Sequence, residues 1–471
     1  MGALGSAAAT RKRLAHRSMM IEAIRIGELR WHWQDGVRMM RPVGLNLGKA
    51  TRVTRISLKT IWKALGPGVI TGAADDDPSG IATYSQAGAQ FGFGLTWTMF
   101  LTLPFMAAIQ IISAWIGWRT GSGLARNIAL QLPRPGLYLL VALLVVANTI
   151  NIAADLAAMG ESLRLIVDGS ALIYALAFGV VCLAAEIIIP YHRYAGYLKF
   201  LTMGLLVYIG AAFSVDVPWG SVIAATLVPH LSFDRSFLLM IVAVFGTTIS
   251  PYLFFWQASQ EAEESRLSHR RRHGGADASA KYLRHISMDT WVGMVFSNLV
   301  AFFIIVTTAA TLNAHGVTKI DTAAQAAEAL RPIAGELTFA LFALGIIGTG
   351  LLAVPVLAGS AAYAVAETFG LQGSLELPAS RALGFYGIVA AATLAGAAIS
   401  ATNIDPINML FWTAVINGVV AVPIMLAMML IISSERGLQS LALPGWLRIL
   451  GWLAAALMAG ALLLLVWSNF S

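Results

Sequence analysis

Long apolar runs, separated by short polar ones, dominate the chain. Runs long enough to cross a bilayer as helices fall at roughly 61–91, 95–117, 137–166, 171–190, 197–215, 237–263, 287–311, 337–366, 381–400, 406–433 and 444–468. The pattern predicts an all-α polytopic membrane protein with about eleven transmembrane helices, the third and fourth dividing around Asp168-Gly169. Two runs are interrupted by helix breakers. Asp75-Asp76-Asp77-Pro78-Ser79-Gly80 breaks the first, and Thr247-Thr248-Ile249-Ser250-Pro251 breaks the sixth. A backbone at bilayer depth must satisfy its own hydrogen bonds, so a broken helix is tolerated only where protein or a water-filled cavity surrounds it. Each break opens a stretch of about five spans. Interrupted segments in matching positions of two halves point to a binding site between repeats, as in secondary transporters.

Composition agrees with membrane burial. Of 471 residues, 58% are hydrophobic and 12% charged, with a mean hydropathy of +0.74. Soluble domains carry about twice that charge. Cys182 is the only cysteine, which excludes a disulfide framework or a cysteine-ligated metal within one chain. The net charge of +7 matters through its placement, and no nucleic-acid partner is expected.

Residues 1–58 read as a basic cytoplasmic leader with no spanning run and no signal peptide; its amphipathic stretch, Ile21 to Trp33, is suited to lie on an anionic leaflet. Residues 59–435 form the core, with repeats at about 59–215 and 236–435, and 436–471 hold the eleventh helix and a short outer tail. With the N-terminus inside, the inner face collects Arg119, Arg126, Arg134, Arg193, Lys199, Arg381, Arg436 and Arg448, and the loop 264–285 with Arg270-Arg271-Arg272. The outer face keeps Arg164, Arg235, Lys319 and Arg331. This bias predicts a C-terminus outside, and the Ala/Gly-rich composition with short loops predicts a bacterial inner membrane. The same bias makes 264–285 a cytoplasmic linker.

The first break carries the charge. Pro78 lacks a backbone donor and Gly80 tolerates unusual dihedrals, so unwinding here frees carbonyls beside a carboxylate. Such a set suits a hard cation. The acidic run could also be a loop between two short spans. Lys63 to Gln90 has the length of a single span with apolar flanks, which favours the cation site. Asp77 is the best ligand, and Asp76 is a further candidate. The second break is uncharged, with Thr247, Ser250, Pro251 and Tyr252; alone it could be an ordinary proline kink.

Gly66-Pro67-Gly68 followed by Asp77-Pro78-Ser79-Gly80 resembles the first helix of the NRAMP divalent-metal transporter family, whose motif there reads Asp-Pro-Gly-Asn. Gln110 to Leu124, Asp155-Leu156-Ala157, Ile189-Pro190-Tyr191 to Lys199, Gly246 to Pro251, and Asp289 with Asn298 resemble successive later segments of that family. The resemblance covers about residues 60–435. It implies a LeuT-like fold: an inverted repeat of two five-helix units, broken helices 1 and 6, and a central metal site between them.

Departures from the family pattern carry the specificity. The family Asn falls on Gly80 and the family Met on Ser250. A thioether favours transition metals, so its loss, with more room and fewer direct ligands, suits a partly hydrated Mg²⁺. The pattern resembles the NRAMP-related magnesium branch, with Mn²⁺ or a trivalent ion as alternatives. No resident cofactor is expected; the metal is substrate. Two family histidines fall on Tyr252 and Gln257, and an acidic residue near Asp155 falls on Ala158, with Glu161 one turn further. Histidine titrates near neutral pH and its replacements do not. The expectation is uptake uncoupled from protons, with Asp155 and Glu161 as either a residual proton path or structural acids. On the tenth span, where the family offers a Gln, Asn417 is the candidate ligand. Glu186 is expected to snorkel. Asn298 would bridge to the broken sixth helix or to a neighbour. Competing classes are a proton-coupled Mn²⁺ transporter, an organic-substrate symporter and a membrane-embedded hydrolase. No His-Glu-x-x-His motif is present. The protein is expected to be no enzyme. The partners are a divalent cation and the lipid bilayer, and a monomer satisfies the pattern.

Overall fold

The computed structural model describes residues 29–34, 37–42, 67–189, 205–267, 276–433 and 443–470, apart from Glu376, Asn403 and Asn469. The chain divides into two units, Met1–Lys63 and Ala64–Ser471. In the first, β1 (Leu29–Gln34) pairs antiparallel with β2 (Val37–Pro42), Trp31 opposite Met40 and Trp33 opposite Arg38. The described end of the expected amphipathic stretch is therefore a strand; residues 21–28 lie outside the described residues.

The second unit is helical. Its first half comprises α1 (Pro67–Asp75), α2 (Pro78–Phe91), α3 (Thr96–Thr120), α4 (Leu124–Ile128), α5 (Arg134–Arg164), α6 (Ala171–Ile188), α7 (Leu206–Ser214) and α8 (Trp219–Leu227). There follow α9 (Arg235–Thr248), α10 (Pro251–Leu267), α11 (Ala276–Thr311), α12 (Ala323–Glu328), α13 (Arg331–Ala334), α14 (Thr338–Phe369), α15 (Leu383–Ser400), α16 (Pro406–Ser433) and α17 (Gly445–Trp467). Among the described residues nine helical stretches are long and apolar enough to cross a membrane. One of them, Pro78–Thr120, joins α2 and α3 through a 3₁₀ turn at Gly92–Leu95, where Gly92 takes φ +56°. The expected fifth span, 197–215, is described only from residue 205. Ile189 is described, but the rest of the motif Ile189-Pro190-Tyr191 to Lys199 lies outside the described residues.

Both breaks appear where the breakers stand. The third and fourth spans part at Leu165–Ser170, with Gly169 at φ +156°. The linker expected over 264–285 is shorter. Helix α10 runs to Leu267 and α11 starts at Ala276, because the Glu- and Arg-bearing ends are good helix formers.

The broken helices sit in the interior. In Arg235–Arg266, 94% of the most apolar window is buried, against 22% in Ala171–Ile188 and in Gly445–Trp467. Helix α6 therefore lines the outside of the bundle, yet Glu186 on it is only 5% exposed and neither carboxylate oxygen has a hydrogen-bond partner. Snorkelling is overturned here: the side chain turns into the bundle. Close helix approach relies on missing side chains. A Cβ on Gly72 would lie 2.4 Å from the Gly293 backbone, and one on Gly246 would lie 2.1 Å from the Ala414 carbonyl and 2.4 Å from the Gly418 nitrogen. Helix α1 thus presses on α11, and α9 on α16, the helix that carries Asn417.

Candidate metal site

Each proline leaves one carbonyl without its helical donor, because the i+4 N–H is missing. Pro78 orphans the Ala74 carbonyl, and Pro251 orphans that of Thr247. In both cases a hydroxyl replaces the donor: Tyr252 Oη donates to the Ala74 carbonyl at 2.9 Å, and Ser250 Oγ to the Thr247 carbonyl at 2.7 Å. Two residues of the second break thus donate to the carbonyl that each proline leaves unpaired.

Asp77 is the N-cap of α2, with Pro78 at the first helical position. Its Oδ1 accepts from Ser79 Oγ at 2.6 Å and from the Gly80 amide at 2.8 Å. A cap of this kind stabilises a helix start by about 1 kcal/mol. Its Oδ2 faces Asn151 Nδ2 at 3.1 Å and Tyr252 Oη at 3.4 Å. Asp77 is 2% exposed. The side chains that touch this carboxylate offer hydroxyl and amide groups, with no sulfur or imidazole among them.

Behind this oxygen lies a short polar chain. Asn151 Nδ2 also donates to Asp155 Oδ2 at 3.3 Å, and Asn417 Nδ2 donates to Asn151 Oδ1 at 3.3 Å. All of these residues are buried, and Asp155 Oδ1 and Asn417 Oδ1 have no hydrogen-bond partner. The structure thus gathers Asp77, Tyr252, Asp155 and Asn417 of the expected residues. Asn151, which joins them, was missed. The signal was present: Asn148, Asn151 and Asp155 are spaced for one face of α5 in an otherwise apolar run. Asn148 Nδ2 donates to the Leu357 carbonyl at 2.9 Å, tying that face to α14.

The other expected residues take different places. Gly80 supplies an N–H donor and a gap: a Cβ there would lie 3.2 Å from Thr247 Oγ1. Thr247 Oγ1 is buried without a partner, and Ser250 is buried with its hydroxyl turned back onto α9. Tyr84 Oη and Thr248 Oγ1, 3.0 Å apart, pin the two half-helices together. Asp76 turns to α11. Ser297 Oγ lies 3.0 Å from Asp76 Oδ1 and 2.8 Å from Asp75 Oδ2, and Ser297 too escaped the sequence reading. Glu161 stands apart from Asp155, because its carboxylate pairs with Arg164 at 2.6 Å at the end of α5. Asn298 Nδ2 bridges to the Met99 carbonyl of α3 at 2.8 Å. The amide of Gly68, at the start of α1, donates to Asp289 Oδ2 at 2.7 Å.

Among the described residues no three His, Cys, Asp or Glu side chains converge to hold a metal by themselves. A cation here must take neutral oxygens or water beside the carboxylate. A cavity of ≈ 400 Å³ lies on the face where α2 ends and α9 begins, lined by Ala82, Gln86, Met240, Lys319, Ile407 and Phe411. The loop at its mouth is strapped to α2: Gln86 Nε2 donates to the Thr318 carbonyl at 3.1 Å and Gln86 Oε1 accepts from the Ile320 amide at 2.8 Å. Asp321 lies 2.6 Å from Lys319 and holds its ammonium above the usual lysine range.

Comparison with known proteins follows the same geometry. Residues 68–468 match the model of the natural resistance-associated macrophage protein-like family. The divalent metal cation transporter MntH of Yersinia pestis (strain Pestoides F) is 28% identical over 319 residues, which cover 64% of this chain and 73% of that protein. MntH of Erwinia tasmaniensis is 26% identical over 314 residues, covering 64% and 71%. Among solved structures, the Eremococcus coleocola manganese transporter superposes with a TM-score of 0.66 at 17% identity, covering 87% of this chain and 86% of that one. Mhp1, a nucleobase-cation-symport-1 family transporter, superposes with a TM-score of 0.55 at 14% identity, covering 85% and 92%. The architecture is that of LeuT-fold transporters. With two broken helices meeting at a buried aspartate and the family model spanning nearly the whole helical unit, the chain belongs to the natural resistance-associated macrophage protein-like family.

Proposed function

We propose that this protein carries divalent cations across the membrane, with Mg²⁺, partly hydrated, as the preferred substrate. It does so as a secondary transporter and not as an enzyme. The observation that carries the preference is the set of groups around Asp77: one carboxylate with hydroxyl and amide neighbours. Hard cations take oxygen ligands, and soft thioether or imidazole ligands favour transition metals. Further support comes from the two orphaned carbonyls. Tyr252 and Ser250 each donate to one of them, which leaves one lone pair on each for an ion, and Mg²⁺ keeps several waters where protein ligands are few.

In this reading the cavity beneath Lys319 opens to the outside, and Asp77 receives the ion at the level of the breaks. Transport needs no proton. An inside-negative potential favours uptake by about 2.3 kcal/mol per charge per 100 mV, twice that for a divalent ion. Asp155 then serves as a structural acid held by Asn151. A second reading is proton-coupled Mn²⁺ transport; its metal, though not its coupling, is supported by the names of the similar proteins, which are those of manganese and divalent metal transporters.

Uptake into proteoliposomes, Mg²⁺ against Mn²⁺ with an internal pH dye, separates the two. Mg²⁺ influx that vanishes in Asp77→Ala and leaves internal pH unchanged is the expected result. Influx of Mn²⁺ alone, or acidification alongside the metal, transfers the assignment to the second reading.

A further inference from the structure

We propose that Asn151 is itself a cation ligand, presented from helix α5, and that its carboxamide turns over when the ion reaches Asp77. This rests on the reading of Asp77 as a divalent-cation site. In the arrangement described, the amide nitrogen faces Asp77 Oδ2 at 3.1 Å and Asp155 Oδ2 at 3.3 Å, so both of its hydrogens are spent on carboxylates. An amide N–H₂ is a donor with no lone pair for a metal. An ion seated on Asp77 Oδ2 at about 2.0–2.1 Å, the Mg²⁺–oxygen distance, would meet those hydrogens. Rotation by half a turn exchanges them for Oδ1.

The partner group is already in place for that exchange. Asn417 donates its Nδ2 to Asn151 Oδ1 at 3.3 Å, while Asn417 Oδ1 is buried and has no hydrogen-bond partner. A buried amide oxygen without a donor is unfavourable. When both amides turn over together, Asn151 Nδ2 donates to Asn417 Oδ1, so the pair keeps one hydrogen bond and the unpaired position on Asn417 passes from its oxygen to its nitrogen. The empty and loaded arrangements are thus two settings of one amide pair. The neutral oxygen comes from α5 because Gly80 offers no side-chain oxygen on α2. Turning over also withdraws the donor from Asp155 Oδ2, which links ion arrival to the acid one turn along α5.

Titration calorimetry on the full-length protein in nanodiscs, with Mg²⁺ and Mn²⁺, tests this with Asp77→Ala, Asn151→Leu and Asn151→Asp. Asn151→Leu removes the oxygen at similar volume and is expected to weaken binding about 10- to 100-fold. Asn151→Asp keeps an oxygen and loses the N–H₂, and is expected to bind at least as tightly as the unaltered protein. If Asn151 acted only as a donor holding Asp77, both variants would lose affinity together, and that result overturns the proposal. So does an Asn151→Leu protein with unchanged affinity. Size-exclusion profiles identify a misfolded variant; where Asn151→Leu does not fold, a loss of affinity in Asn151→Asp, which has both an oxygen and an added negative charge, overturns the proposal on its own. Unaltered protein and Asp77→Ala that titrate identically would instead overturn the cation reading of Asp77, whatever the Asn151 variants do.

Discussion

Ser250 closes the second break and, under the proposed function, bears on selectivity as well. Its hydroxyl substitutes for the donor that Pro251 cannot supply, and it brings oxygen where a thioether would bring sulfur. Ser250→Met should therefore tilt the site toward softer ions. We expect the Mn²⁺-to-Mg²⁺ uptake ratio to rise roughly tenfold, equivalent to about 1.4 kcal/mol, measured by competitive flux in proteoliposomes; an unchanged ratio would separate this position from selectivity. Tyr252 carries a comparable double duty. Read from sequence it is a non-titrating replacement for a histidine. In the fold it closes α1 at the Ala74 carbonyl and reaches Asp77.

At the scale of elements, the half-helices are held from behind. Gln110 and Ser113 of α3 donate to the Leu253 and Phe254 carbonyls at 3.0 and 2.6 Å, and Ser360 of α14 donates to the Tyr252 carbonyl at 2.8 Å. Those bonds fix the start of α10, so the Tyr252 hydroxyl arrives where α1 ends. The contact of α9 with α16 is equally specific. Gly246→Ala would drive a methyl into the Ala414 and Gly418 backbone. Overpacking of this kind costs about 1–3 kcal/mol. Its thermal unfolding midpoint should fall, whereas Gly460→Ala, with open space around its Cβ, should leave it unchanged.

For the whole molecule, the arrangement has a cavity on one face and a latch toward the other. The latch is Asp289 of α11, which accepts from the first turn of α1. Loosening it should shift the population toward opening on the latch side, at the expense of the cavity side. A hydrogen bond to a charged group contributes about 1.5–3 kcal/mol, which corresponds to a roughly tenfold or larger change in the ratio of states. Labelling with an impermeant maleimide reads this out, because Cys182 is the only cysteine and is buried. Gln90→Cys on the cavity lining should label readily with reagent on the cavity side, and adding Asp289→Ala should slow that labelling. Faster or equal labelling in the double variant would show that Asp289 does not hold the closed side.

The sequence alone determined what local chemistry and periodicity can dictate. Apolar run lengths set the spans, because a bilayer demands a fixed length of helix. Pro78 and Pro251 set the breaks, because a missing N–H acts on its own turn of helix wherever it stands. Asp77 was legible for the same local reason, as the carboxylate beside the first break. Tertiary structure decided which groups face that carboxylate. Asn151, which faces Asp77, and Ser297, which faces Asp75 and Asp76, lie far from the break in sequence, on helices whose rotation depends on packing, so no spacing rule fixes their distance to it. Glu161 and Asp155 are close in sequence, yet α5 ends between bundle and solvent. One acid therefore pairs with Arg164 and the other stays in the interior. Glu186 failed as a snorkelling residue for the same reason: which way a helix turns a polar group is settled by its neighbours, and not by the run that contains it.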